Sequence, residues 1–421
     1  MKVDGNRQFE LLEKIGFVRI SGTPEELKAA HILMDEIKAM GLEPRLEPFE
    51  VTEDGKVYTA KLEVLEPRHK EYTVTGYKLA GCTADGGEEH EFLYLEQFDD
   101  VMLSKAKDKV VLVNGRMTAD NYKKIVEAGA VAFITMGGTV IDEVEKTDLD
   151  TRTMRETLRE IAVMPAFHIR MTDALEILKS GATKVKIELK TEATVHTSNN
   201  VVVEIPGTQY PDEIIDIGAH YDSVEFSSGV WDNGAGSVTI MEMLRYFKEN
   251  APKRTLRFIW FGSEELGLLG SHAYVKQYAD ELEKHIFMIN VDVGGSILGG
   301  NMAGCTSDEG LCKYVEYLAK EVGYSTSVRQ DIMSSDSVPF ADKGIPSINF
   351  GRGGFAPGMG FMHTRYDMIS LISPEALAVV TEFAVLFADR VVNAVVFPVP
   401  RKLPQNIVEK VDKYLNKKKD K

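Results

Sequence analysis

The chemistry-bearing residues of this chain cluster in short glycine-rich segments. His220 and Asp222 lie in GAHYDSV, Asp232 in WDNGAGS, Glu264 and Glu265 in FGSEELGLLGS, Asp292 in NVDVGG, and His363 in FMHTRYD. Each piece alone has an ordinary structural explanation: Asp-Asn-Gly is usually a turn, and paired glutamates before a helix usually complement its dipole. Together they offer histidine nitrogens and carboxylate oxygens, the donors that zinc accepts at sites keeping an open position for water. Two such ions about 3.5–4 Å apart need a shared carboxylate to damp their repulsion, and a water between them loses its proton readily. A carboxylate that is not a ligand must then take that proton and deliver it to the leaving group. Adjacent glutamates can divide the two jobs.

These residues are far apart in sequence, so a fold must gather them. Ile214–Gly218, Leu256–Phe261, Phe287–Val291 and Ser347–Phe350 read as buried strands, with helices over Ser237–Glu249 and Gly310–Val322 between them. Nearly continuous apolar strands alternating with helices predict an α/β fold with a mostly parallel central sheet flanked by helices. Most of the candidate residues follow those strands directly, and open α/β sheets collect ligands outside the carboxyl ends of their strands. His363 follows the last strand after a glycine-rich loop. Earlier in the chain, Thr23 and Pro24 start a helix that Gly41 ends. Lys56–Leu65 and Glu71–Leu79 alternate as strands do. Lys109–Asn114, Asp120–Ala128 and Ala130–Thr135 form a βαβ pattern, whereas the acidic run Gly86–Asp100 reads as a solvated loop. The polar stretch Glu192–Asn200 reads as a boundary, and the basic tail 401–421 as a frayed helix.

The five segments, in order, resemble the signatures of the M28-type zinc aminopeptidases, and the resemblance covers nearly the whole chain. The resemblance implies a zinc exopeptidase-like catalytic domain made of residues 1–49 and 195–400. A smaller β-rich α/β domain, residues 50–194, resembles the protease-associated domain that many members carry inserted, most clearly in KVVLVNGRMTADNYKKIVEAGAVAFITM. Carried over residue by residue, His220 and Asp292 would bind one Zn2+, Glu265 and His363 the other, and Asp232 both. Glu264 would be the general base, and Asp222 would orient His220 through the ring's other N–H. Asp367 is a weaker candidate for the same service to His363. The implied activity is removal of the N-terminal residue from a peptide substrate, with two Zn2+ per chain, for which Mn2+ or Co2+ could substitute in vitro. The same family includes carboxypeptidase-type members, single-zinc glutaminyl cyclases and catalytically silent receptors. Val293 after Asp292, and Ser337 where histidine is frequent, depart from the commonest pattern without removing a ligand. Arg352 is a candidate substrate contact or a structural arginine.

Composition narrows the classes further. The formal charge, 49 − 65 = −16, argues against a nucleic-acid partner, which needs basic surface. No apolar run approaches the roughly 18–20 residues of a membrane span, and the polar start shows no signal peptide. Cys82, Cys305 and Cys312 have no metal-binding spacing and read as reduced thiols of a cytoplasmic enzyme. A homo-oligomer is left open.

Overall fold

The computed structural model describes residues 2–353 and 361–417. Most of the glycine-rich loop before His363, and the last residues of the tail, lie outside the described residues. The chain forms two compact units: Met1–Val51 with His196–Lys421, and Thr52–Val195.

The first unit is built on the strands β1 (Lys184–Ile205, by its carboxyl-terminal part), β2 (Tyr210–His220), β3 (Arg254–Phe261), β4 (His285–Val291), β5 (Gly300–Thr306), β6 (Thr326–Gln330) and β7 (Ser347–Gly353). Their spatial order is β6-β5-β7-β4-β2-β3-β1. The four central strands, β7, β4, β2 and β3, are mutually parallel. At the two flanks of this set, β1 runs antiparallel to β3 and β5 antiparallel to β7, while β6 pairs parallel with β5. Every residue of β3 and of β4 is buried, as a parallel sheet covered on both faces requires. Along β3 the faces separate cleanly. Leu256, Phe258 and Trp260 join the core that holds helices Gly5–Ile15, Ala235–Glu249 and Pro374–Val392, while Ile259 and Phe261 join a second core with Tyr274 and Phe340. The register pairs His220 with Phe261 and Val291 with Phe350, so the strands end side by side.

The second unit has its own parallel set, Glu88–Leu95, Lys109–Val113, Ala132–Gly137 and Ala166–Arg170. Val110, Phe133 and Phe167 form its core with Tyr122 and Ile125 of the helix Ala119–Glu127.

Two expectations change. The acidic run is not a loop, because Glu88–Leu95 is a strand paired on both edges. Its charges are matched across strands, Glu91 with Lys109 at 2.7 Å and Glu89 with Lys184 at 2.6 Å, while Phe92 and Leu95 turn inward. The division between the two units, at Val195 and His196, falls inside the polar stretch Glu192–Asn200, which is itself extended strand within Lys184–Ile205. The tail does not fray over Gln405–Tyr414: that helix buries Ile407 and Val411 against Leu268, Val338 and Leu403. An unanticipated helix, Gly5–Ile15, is capped by Asp4 and buries Leu11, Leu12 and Ile15. Among the described residues, no helix is long and apolar enough to cross a membrane.

Candidate metal centre

The carboxyl ends of the parallel strands bring all seven candidate residues together. His220 ends β2, and its carbonyl accepts the Ser237 hydroxyl at 2.8 Å. Its Nε2 lies 3.2 Å from Asp232 Oδ1, 3.6 Å from Asp292 Oδ1 and 3.9 Å from Glu264 Oε2. On the ring's other side, Nδ1 stands 3.3 Å from Asp222 Oδ1, too poorly aligned to count as a hydrogen bond. Asp222 does more than face the ring. Its two oxygens accept the main-chain N–H groups of Glu264 and Glu265, at 3.0 and 3.2 Å. The glutamates therefore lie in a turn after β3, before the helix Leu269–Gln277 rather than inside it.

Asp232 sits in the turn Val230–Gly234, entered through Gly229 at a φ of 55°. Its neighbour Asn233 ties the turn to the end of β4. The amide donates to Val291 O at 2.9 Å and accepts from Gly236 N at 2.8 Å and Val293 N at 3.1 Å. A Cβ on Gly236 would stand 2.3 Å from Asn233 Oδ1 and 2.4 Å from Val291 O, so the glycine of WDNGAG is required by this close approach. Asp367 is not the partner of His363. Its carboxylate accepts Trp231 N at 2.8 Å and Asp232 N at 3.1 Å, and so holds the Asp232 turn from behind. His363, at a φ of 60° and half exposed, places Nε2 3.2 Å from Asp232 Oδ2 and 3.1 Å from Glu265 Oε2.

The electrostatics are those of a site short of positive charge. Burial pushes Glu264 well above the usual carboxylate range, with Asp336, Asp292 and Glu265 adding to it. Burial raises Glu265 to about 6 and Asp367 to about 6. Burial opposes the ionisation of Asp232 as well, but hydrogen bonding to His220 and His363 wins and holds it below the usual range. Asp232 and Glu265 together raise His363 to about 10. Buried charges are held by partners or by metal, and here acids outnumber bases. Glu265 Oε1 is buried without a hydrogen-bond partner. His220, Asp232 and Glu265 each present a donor atom within 4.8 Å of one another, and so do His220, Glu264 and Asp292. The residues thus fit a cation, and their nitrogen and oxygen donors suit zinc.

Other residues were not visible in the sequence pattern. Arg19, fully buried, donates to the carbonyls of Ile15, Phe17, Tyr221, Ser228 and Gly229, joining the segment after His220 to the start of the Asp232 turn. Asp336 is buried beside the centre, neither oxygen meeting hydrogen-bond geometry, and burial raises it to about 7. A lone arginine near the N-terminus and an aspartate in SSDS carry no spacing signal that would single them out. Arg352 takes the structural role: Nε donates to Ser296 O at 2.7 Å and Nη1 to Asn301 Oδ1 at 3.0 Å. Ser337 is buried and bonded to Asn349 Oδ1 at 2.9 Å.

Known proteins are similar to this chain in sequence and in fold. Residues 200–388 match the profile of peptidase family M28. Aminopeptidase YwaD of Bacillus subtilis (strain 168) is 29% identical over 384 residues, 87% of this chain and 80% of the relative. Carboxypeptidase Q of Mus musculus is 26% identical over 401 residues, 89% of this chain and 83% of the relative. Among solved structures, BSAP, a zinc aminopeptidase from Bacillus subtilis, superposes with a TM-score of 0.77 at 25% identity, covering 95% of this chain and 98% of that one.

Proposed function

Since the chain belongs to peptidase family M28 by its residues 200–388, we propose that it is a zinc-dependent exopeptidase, an aminopeptidase holding two ions at its strand ends. Asp232 carries the reading. One of its oxygens faces Nε2 of His220 and the other Nε2 of His363, each at 3.2 Å, the disposition expected of a carboxylate shared between two cations. His220 and Asp292 would hold one ion, Glu265 and His363 the other. Zinc bound there would polarise the scissile carbonyl and acidify the attacking water.

The chain's own residues supply the rest. Glu264 Oε2 lies farther from His220 Nε2 than the oxygens of Asp232 and Asp292 do, which favours a base over a ligand. It takes the proton of the attacking water and passes it to the leaving amine nitrogen. Asp222 fixes the backbone from which Glu264 and Glu265 project, and Asp367 fixes that of Asp232. The aminopeptidase reading draws support from the likeness to the Bacillus aminopeptidases. The likeness to Carboxypeptidase Q favours a second reading, cleavage at the other end of the peptide.

Two measurements test the proposal. Elemental analysis of fully loaded protein should give two divalent ions per chain, and a value that never exceeds one after reconstitution overturns the shared-carboxylate reading. Peptides amidated at the C-terminus should be cleaved and N-acetylated peptides spared. The reverse pattern selects the carboxypeptidase reading.

A further inference from the structure

The unit Thr52–Val195 contains a cavity of about 590 Å3, a size typical of small-molecule sites. It opens at the carboxyl ends of the parallel strands Lys109–Val113 and Ala132–Gly137, the edge of an α/β sheet where ligands collect. Its lining includes Arg116, Arg152 and Arg155 and, among the described residues, no carboxylate. That is a local inversion in a chain with 65 acidic and 49 basic residues.

The arginines differ in how they are held. Arg155 is fixed by Nη2 donating to Met117 O at 2.7 Å. Arg152 is ion-paired with Asp150 Oδ2 at 3.5 Å and its side chain is 41% exposed, but its Nε is buried without an acceptor in hydrogen-bonding geometry. A buried donor left without an acceptor is costly, and such groups usually mark a missing partner. Arg116, next to the left-handed Gly115 at a φ of 119°, is exposed at the mouth. The opposite chemistry lines the rest. Met117, Met136, Met171 and Leu158 form an apolar wall, and flexible, polarisable thioethers adapt to side chains of varied shape. Guanidinium beside a plastic apolar wall suits a molecule with a planar oxyanion at one end and hydrocarbon at the other, because the arginine fork matches a carboxylate in two parallel hydrogen bonds.

We infer that this cavity binds the α-carboxylate of a short peptide or acylated amino acid with an apolar side chain, Arg152 and Arg116 taking the carboxylate and the methionines the side chain. The inference uses residues of this unit alone and stands whether or not the chain is a peptidase.

Calorimetric titration of the full-length, metal-loaded protein tests it, with N-acetyl-leucine as the probe. Saturable binding is expected, at least tenfold weaker for N-acetyl-leucinamide, which lacks the charge, and for acetate, which lacks the side chain. Arg152→Gln should weaken N-acetyl-leucine at least tenfold while peptide hydrolysis is unchanged, and Arg116→Gln, at an exposed position where folding is not at stake, should weaken it in the same direction. Glu264→Gln should leave it unaltered. Absence of saturable binding, equal affinity for acid and amide, or inorganic phosphate or acetate binding as tightly as N-acetyl-leucine would each overturn the assignment. So would loss of binding in Glu264→Gln with none in the arginine variants, which would put the probe in the catalytic unit.

Discussion

Asp222 grips the main-chain N–H groups of both Glu264 and Glu265, one with each carboxylate oxygen, while its Oδ1 also faces His220 Nδ1. One buried side chain thereby fixes the backbone of two glutamates and faces the histidine at the end of the neighbouring strand.

Asp222→Asn should disturb all three at once. The amide can accept only one of the two N–H groups and turns a donor toward the other. Loss of a supporting partner of this kind typically lowers metal affinity by about 10–100-fold. Competition with a chromogenic chelator measures it, and an unchanged affinity would show that the clamp is not needed for metal binding.

Glu264→Gln separates base from ligand. The amide keeps size and hydrogen bonding but cannot take a proton, and removing a general base costs on the order of 10²–10⁴ in rate. Both metals and KM should stay near the parent values while kcat falls. A variant that instead loses an ion would make Glu264 a ligand in the set it forms with His220 and Asp292.

His168 predicts a pH dependence of stability in the unit Thr52–Val195. Burial, aided by the Arg152 charge, lowers the imidazole from 6.5 to about 4. Between those values the unfolded chain carries the proton and the folded chain does not, so stability is intact above pH 6.5 and declines as pH falls toward 4. The loss by pH 4.5 should be on the order of 2 kcal/mol. Urea titrations at pH 7 and pH 4.5 measure it, and His168→Gln should show a smaller drop between them. An identical drop in the variant would remove His168 from the account.

Ile407→Ala tests the docking of the helix Gln405–Tyr414. Ile407 is fully buried against Leu268 and Val338, and truncations of this kind cost about 2–5 kcal/mol. Thermal unfolding should report a clear fall in Tm, whereas a frayed helix would leave it unmoved.

Much of the centre was readable because its residues follow strands whose texture is hard to mistake. The runs before Glu264 and Asp292 are mainly apolar, interrupted by Arg257 and Asn290, as strands covered on both faces are, and the segments around Asp232 are punctuated by glycines. Glu88–Leu95 reads as a loop because its charges are neutralised only in the fold, by Lys109 and Lys184 on neighbouring strands. The tail reads as frayed for a related reason: its lysines mask Ile407 and Val411, one helical turn apart on one face. Arg19 and Asp336 act through three-dimensional proximity alone, and no local pattern marks them. Asp367 stands out in HTRYD, but its partners do not, because the Trp231 and Asp232 N–H groups come from a turn distant in sequence.

The amide of Asn233 fastens the Asp232 turn to Val291 and Val293, on either side of Asp292. The gap between those two carboxylates is therefore set by covalent geometry and neutral hydrogen bonds before any ion arrives. A spacing anchored this way resists ions that need more room: calcium, which takes more oxygens at longer distances of about 2.3–2.6 Å, would pull against the bonds that tie the turn to the strand end.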